Sequence, residues 1–125
     1  MANIHQGEDE KMWLERVQSI LPEFSLGKCD QVSRLTIEPS TSGQGVDIEV
    51  EIDHASTHLV TLRFVRVSQV HIPDLPFGCI NLVEFTIADL TGDGMESVRF
   101  KVADEVTGLS LQCMDVLCEG VNEVS

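Results

Sequence analysis

The chain has no tyrosine, and its aromatic residues are five phenylalanines and one tryptophan. That argues against the aromatic platforms on which sugars or single-stranded bases stack. Basic residues are scarce as well: eight Lys and Arg stand against 21 Asp and Glu, a formal net charge of −13. A surface of that sign repels phosphate backbones and anionic headgroups, so the sequence points away from nucleic acid and from membrane surfaces. No apolar run approaches the length of a membrane span. The first residues, MANIHQGEDEKMW, lack the apolar core of a secretory signal. The four cysteines, Cys29, Cys79, Cys113 and Cys118, are therefore expected as free thiols in the cytoplasm.

Catalytic signatures are missing too. The chain holds no GxSxG, no phosphate loop, no GxGxxG and no HExxH. His54 and His58 are four apart, but the intervening AST suits a turn between strands, and no Cys pair lies near to complete a zinc site. Cys79 follows Gly78 with His71 close in sequence, and Cys113 is in phase with Leu109 and Leu111. These are the only footholds for a thiol enzyme, an alternative to the expectation of no enzymatic activity and no cofactor.

What is present is a pattern. At 125 residues the chain suits one domain spanning 1–125, read as the whole chain from Met1. Residues 8–21 carry Trp13, Leu14, Val17, Ile20 and Leu21 at helical spacing, with acids at the start and Pro22 as the stop. From about 32 to 117 the period changes to two. VSRLTI (32–37) is a weak strand, and VDIEVEID (46–53) alternates strictly. HLVTLRFVRVSQVHI (58–72) loses its apolar phase near Val65 and Val67 and regains it at Val70. Such a slip predicts a bend at which one strand leaves a sheet for another. INLVEFTIA (80–88) is apolar on both faces and predicts a central or covered strand. SVRFKVAD (97–104) and LSLQCMDVL (109–117) complete the set. The expected class is α+β: an N-terminal helix packed on a mainly antiparallel sheet or sandwich of about six to seven strands.

Two stretches are candidate sites. DLTGDGMES (89–97) starts like a calcium loop, with Asp89, Thr91, Asp93 and Gly94 at the first ligand positions. Position twelve, where a bidentate Glu belongs, is Phe100. The loop also resembles the calcium loop of FG-GAP propeller repeats, but Thr91 stands where that pattern has Asn and Ser97 where it has a later Asp. A hairpin turn explains the stretch better, with Gly92 and Gly94 supplying positive φ, and no metal is expected. In the second stretch, Asp47, Glu49, Glu51 and Asp53 share one face of a strand. At roughly 6.8 Å spacing they would form a line of charge about 20 Å long. Its functional reading is a docking face for a basic protein; its structural reading is a solvated edge that resists aggregation.

The C-terminal half, from TLRFVRVSQVHIPDL to LTGDGMESVRFKVADEVTGLSLQC, resembles short bacterial proteins of unknown function, some of them grouped with immunity proteins of polymorphic toxin systems. Met95, Glu96, Phe100, Asp104, Gly108 and Cys113 carry the resemblance, which covers about half of the chain. It implies an immunity-type inhibitor of a basic toxin and assigns no active site. A homodimer is the remaining alternative, because Ile80 and Leu82 need cover if their strand is apolar on both faces.

Overall fold

The computed structural model describes residues 12–40, 43–72, 80–90 and 99–124. Helix α1, Met12–Ile20, presents Trp13, Val17 and Leu21 at intervals of four, and all three are buried. Burying one such aliphatic side chain contributes about 1.5–3 kcal/mol. Ile20, expected in the same stripe, is exposed. The Leu21 N–H donates to the Val17 carbonyl and closes the last turn, after which Pro22 has no N–H to continue it. The expected first turn, residues 8–11, lies outside the described residues. Phe24 and a short 3-10 turn, Leu26–Lys28, lead into the sheets. Trp13 meets Phe24 edge to face, 6.4 Å between centroids.

Among the described residues nine strands follow: β1 Cys29–Pro39, β2 Val46–His54, β3 His58–Val65, β4 Ser68–His71, β5 Ile80–Asn81, β6 Phe85–Asp89, β7 Phe100–Asp104, β8 Leu109–Cys113 and β9 Asp115–Glu123. They form a five-stranded sheet, ordered β5-β1-β2-β3-β9, and a four-stranded sheet, ordered β4-β8-β7-β6. The ladders are antiparallel. The inward phase of β2 and β3 (Ile48, Val50, Ile52, Val60, Leu62, Phe64) joins Phe85, Phe100, Val102, Leu109 and Leu111 of the second sheet in one core. The protein is thus α+β with a sheet-rich core.

The chain changes sheets within runs that look continuous in the sequence. The expected bend after Phe64 is real. β3 ends in the first sheet at Val65, Arg66 takes φ 53°, and β4 starts in the second. The run 80–88 is not one central strand. Ile80 and Leu82 face the core from the edge of the first sheet, and Phe85 faces it from the edge of the second. The change of parity between Leu82 and Phe85 is the crossing itself. Ile80 and Leu82 are therefore covered within one chain. The run 109–117 also divides, at Met114, whose N–H donates to the Val65 carbonyl, so the two crossings lie side by side.

Two aspartates with no exposed surface hold these corners. Asp104, at the end of β7, accepts four backbone N–H groups. Val83 (2.6 Å) and Glu84 (3.0 Å) bond to Oδ2 at the β5–β6 crossing, and Val106 and Thr107 (both 3.1 Å) bond to Oδ1 in its own hairpin. Burial by itself would raise this carboxyl, but the four N–H donors outweigh it and hold the carboxyl below its usual value. The second is Asp47.

Candidate functional site

The outer face of the first sheet carries the acidic line. Strict alternation puts Ile48, Val50 and Ile52 inward, so Asp47, Glu49, Glu51 and Asp53 turn outward, as the spacing requires. Their surroundings differ from a bare line of four charges. In the β2–β3 register Glu49 stands opposite Arg63 and Glu51 opposite Thr61; in the β1–β2 register Asp47 stands opposite Glu38 and Glu51 opposite Arg34. Asp47 is fully buried: its Oδ2 takes the Arg63 Nη1 donor at 3.0 Å and its Oδ1 takes the Arg66 backbone N–H at 3.0 Å. It locks the β3–β4 crossing and cannot touch a partner, which corrects the expectation for this residue. Glu51 is half-buried and lies 3.7 Å from the Arg34 Nε. Asp53 accepts from the Gln31 amide at 2.7 Å. Glu49, half-buried, lies between Asp47 and Glu51 on the same side of β2.

Arg63 organises this face, a role with little sign in the sequence. The side chain is 14% exposed and ion-paired with Glu38 of β1, Asp47 of β2 and Glu119 of β9. Glu119 reaches it because β9 carries a bulge. Thr61 pairs with Gly120 while Leu62 pairs with Cys118, leaving Glu119 as the extra residue, aimed at the Arg63 Nε 2.9 Å away. Hydrogen bonds to these acids, that of Glu38 first, raise the Arg63 pKa despite burial, so its charge is permanent. One guanidinium on three carboxylates leaves local negative charge uncancelled. Among the described residues, the ion pairs of Glu38, Asp47, Glu51 and Glu119 on this face are with two cations, Arg34 and Arg63, and Glu49 and Asp53 lie beside them on β2. The one signal for Arg63 in the sequence is its out-facing phase in HLVTLRFV; its partners, 16, 25 and 56 residues away, follow only from register.

The other candidates separate. Asp89 ends β6, exposed, as the ladder partner of Phe100, whereas Thr91 and Asp93 lie outside the described residues. His54 and His58 face each other across a hairpin whose central residues, Ala55 and Ser56, take φ 51° and 58°, closed by the Thr57 N–H on the His54 carbonyl. These angles and that bond make a type I′ turn. His54 is buried, stacks on Phe24 with centroids 5.0 Å apart, and accepts the Ser25 N–H on Nε2. Burial first, then nearby Lys28, lowers its pKa, so the ring is neutral with its proton on Nδ1. No group of three or more His, Cys, Asp or Glu among the described residues is placed to hold a metal. Cys113 is fully buried and Cys29 nearly so, and burial pushes both thiols up to about 12; that is the environment of an inert core thiol, not of a nucleophile. Cys79 lies outside the described residues, and His71 of β4 is exposed. No helix among the described residues is long and apolar enough to cross a membrane.

Comparison with known proteins adds no relative: no family model matches the chain, no curated protein matches it, and no solved structure matches it.

Proposed function

We propose that this chain is a non-enzymatic, cytoplasmic binding protein of bacterial type that docks a basic protein on the outer face of its five-stranded sheet, acting as an immunity-type inhibitor of a basic toxin. The observation that carries the reading is the excess of carboxylates on that face. Asp47 and Arg63 are structural, so the contact residues are Glu49, Glu51 and Asp53, flanked by Glu38 and Glu119. The side chains of Glu51, Asp53, Glu38 and Glu119 are held by neighbours, so little conformational entropy is lost when a cation docks on them. A field of this sign speeds encounter with a positive partner and repels anionic ones. The buried, high-pKa Cys29 and Cys113 count against the thiol-enzyme alternative.

The test is binding to the purified product of the neighbouring gene, followed by surface plasmon resonance at two salt concentrations. Submicromolar binding is expected, with association slowed about tenfold by Glu49→Lys plus Asp53→Lys and weakened by salt. Absence of binding, or binding indifferent to both salt and charge reversal, overturns the reading.

A further inference from the structure

On the other side of the core, where α1 and the 3-10 turn approach the second sheet, two cavities share a wall made by Trp13 and Phe100. The first, about 380 Å³, is lined mainly by apolar groups, among them Leu14, Phe24, Leu26 and Ile87; Gln18, Ser25 and Asp89 supply its polar lining. The second, about 320 Å³, contains Arg16 of α1 and Arg99, which precedes β7, together with Asp115 at the start of β9. Both volumes fall at the small end of the range for small-molecule sites.

The two arginines face a single carboxylate, Asp115, in the second cavity and make it locally positive in an acidic chain. Acids outnumber bases 21 to 8, so a cation has carboxylates to spare. Arg34 pairs with Glu51, Arg63 holds three acids and Arg66 donates to the Met114 sulfur. Arg16 and Arg99 form no ion pair with a carboxylate among the described residues, although both line a cavity that Asp115 also lines. Asp115 turns one oxygen to the Val116 N–H at 2.8 Å instead. The Arg99 guanidinium rests over the Phe100 ring, 5.5 Å from its centroid. A guanidinium over an aromatic ring keeps its charge and its N–H donors, the groups that recognise an oxyanion. The long-range repulsion from the net charge is screened within about 10 Å at ordinary salt, so two nearby guanidiniums dominate at the site.

We infer that a small amphipathic carboxylic acid spans the two adjacent cavities past Trp13 and Phe100, its carboxylate on Arg16 and Arg99 and its apolar body of roughly six to ten carbons against Leu14, Phe24, Leu26 and Ile87. Asp89 in the first cavity and the free guanidiniums in the second fix the orientation: the anionic head goes to the arginines. The site is separate from the acidic sheet face and does not depend on how that face is used.

Trp13 is the only tryptophan and walls both cavities, so its fluorescence reports occupancy. The experiment titrates decanoate, decanol and acetate into the whole protein. Decanoate should give a saturable change, decanol should bind at least tenfold more weakly, and acetate should give none. Arg16→Gln and Arg99→Gln should each weaken decanoate about tenfold and leave decanol unchanged, the scale of one lost charge-assisted bond. Asp115→Asn should tighten decanoate, a gain that misfolding cannot imitate. Equal binding of decanol and decanoate, insensitivity of decanoate to all three substitutions, or no response to decanoate overturns the inference.

Discussion

Replacing Asp104 by Asn changes one oxygen to an amide and removes one charge while keeping the shape of the side chain. Each carboxylate oxygen accepts two backbone N–H groups, Val83 and Glu84 on one side, Val106 and Thr107 on the other. Whichever way the Asn amide is oriented, its NH₂ confronts two N–H donors, and either the β5–β6 crossing or the β7–β8 turn loses its acceptor. Two lost bonds to a charged acceptor, at about 1.5 kcal/mol each as a lower figure, give about 3 kcal/mol. An unfolding entropy of about 2.1 cal/mol/K per residue over this chain makes each kcal/mol worth about 4 °C, so the melting temperature should fall by roughly 11 °C. The pH dependence separates this account from a plain packing defect. The folded carboxyl titrates below its usual value of 3.8. Its stabilising contribution is therefore complete above 3.8 and disappears as the pH falls through the lower, folded value. Urea unfolding of wild type and Asp104→Asn, near neutrality and in stronger acid, measures both quantities. The gap between the two proteins should be full near neutrality and narrow below 3.8. A neutral gap under about 1 kcal/mol, smaller than a single such bond, or a gap unchanged by acid, would refute the reasoning.

Arg63→Met should cost about 3 kcal/mol, because it leaves buried Asp47 without its cation; part of the loss should return with added salt, which screens the repulsion among Glu38, Asp47 and Glu119, and a variant as stable as wild type in low salt would contradict the network. His54 is held neutral with its pKa below 6.5, so wild-type stability should fall as the pH drops from 6.5 toward the folded value, and His54→Gln, which keeps an acceptor for the Ser25 N–H, should flatten that slope in denaturant melts. With thiols pushed up to about 12, Cys29 and Cys113 should resist iodoacetamide in the native protein, and half-buried Cys118 should be alkylated before them, as read by mass spectrometry of the peptides; rapid labelling of Cys113 would reopen the thiol-enzyme alternative. Ala55→Asn with Ser56→Gly should stabilise the β2–β3 hairpin by about 1 kcal/mol, since both positions have positive φ and non-glycine residues there are strained, and a lower melting temperature would contradict the type I′ assignment.

Alternation and spacing are local properties, and what they determine was legible. The strict period of two in VDIEVEID sends Ile48, Val50 and Ile52 to the core and the acids outward whatever lies next to them. The loss of phase near Val65 marks a change of sheet, because a strand that stops alternating toward one core face must turn to meet another. The stripe Trp13, Val17, Leu21 marks a helix that buries one side. Parity could not show that INLVEFTIA and LSLQCMDVL are each divided between two sheets. An apolar run looks the same whether a strand is buried on both faces or hands its side chains from one sheet to the next. Nor could the sequence show which outward acids are free. Asp47 and Glu49 have the same residue class and the same phase, yet Asp47 is sealed under Arg63 and the Arg66 N–H. That difference depends on a register shared with strands 16 to 56 residues away and on a single bulge at Glu119. The local pattern decides which face a side chain joins; long-range pairing decides what it finds there.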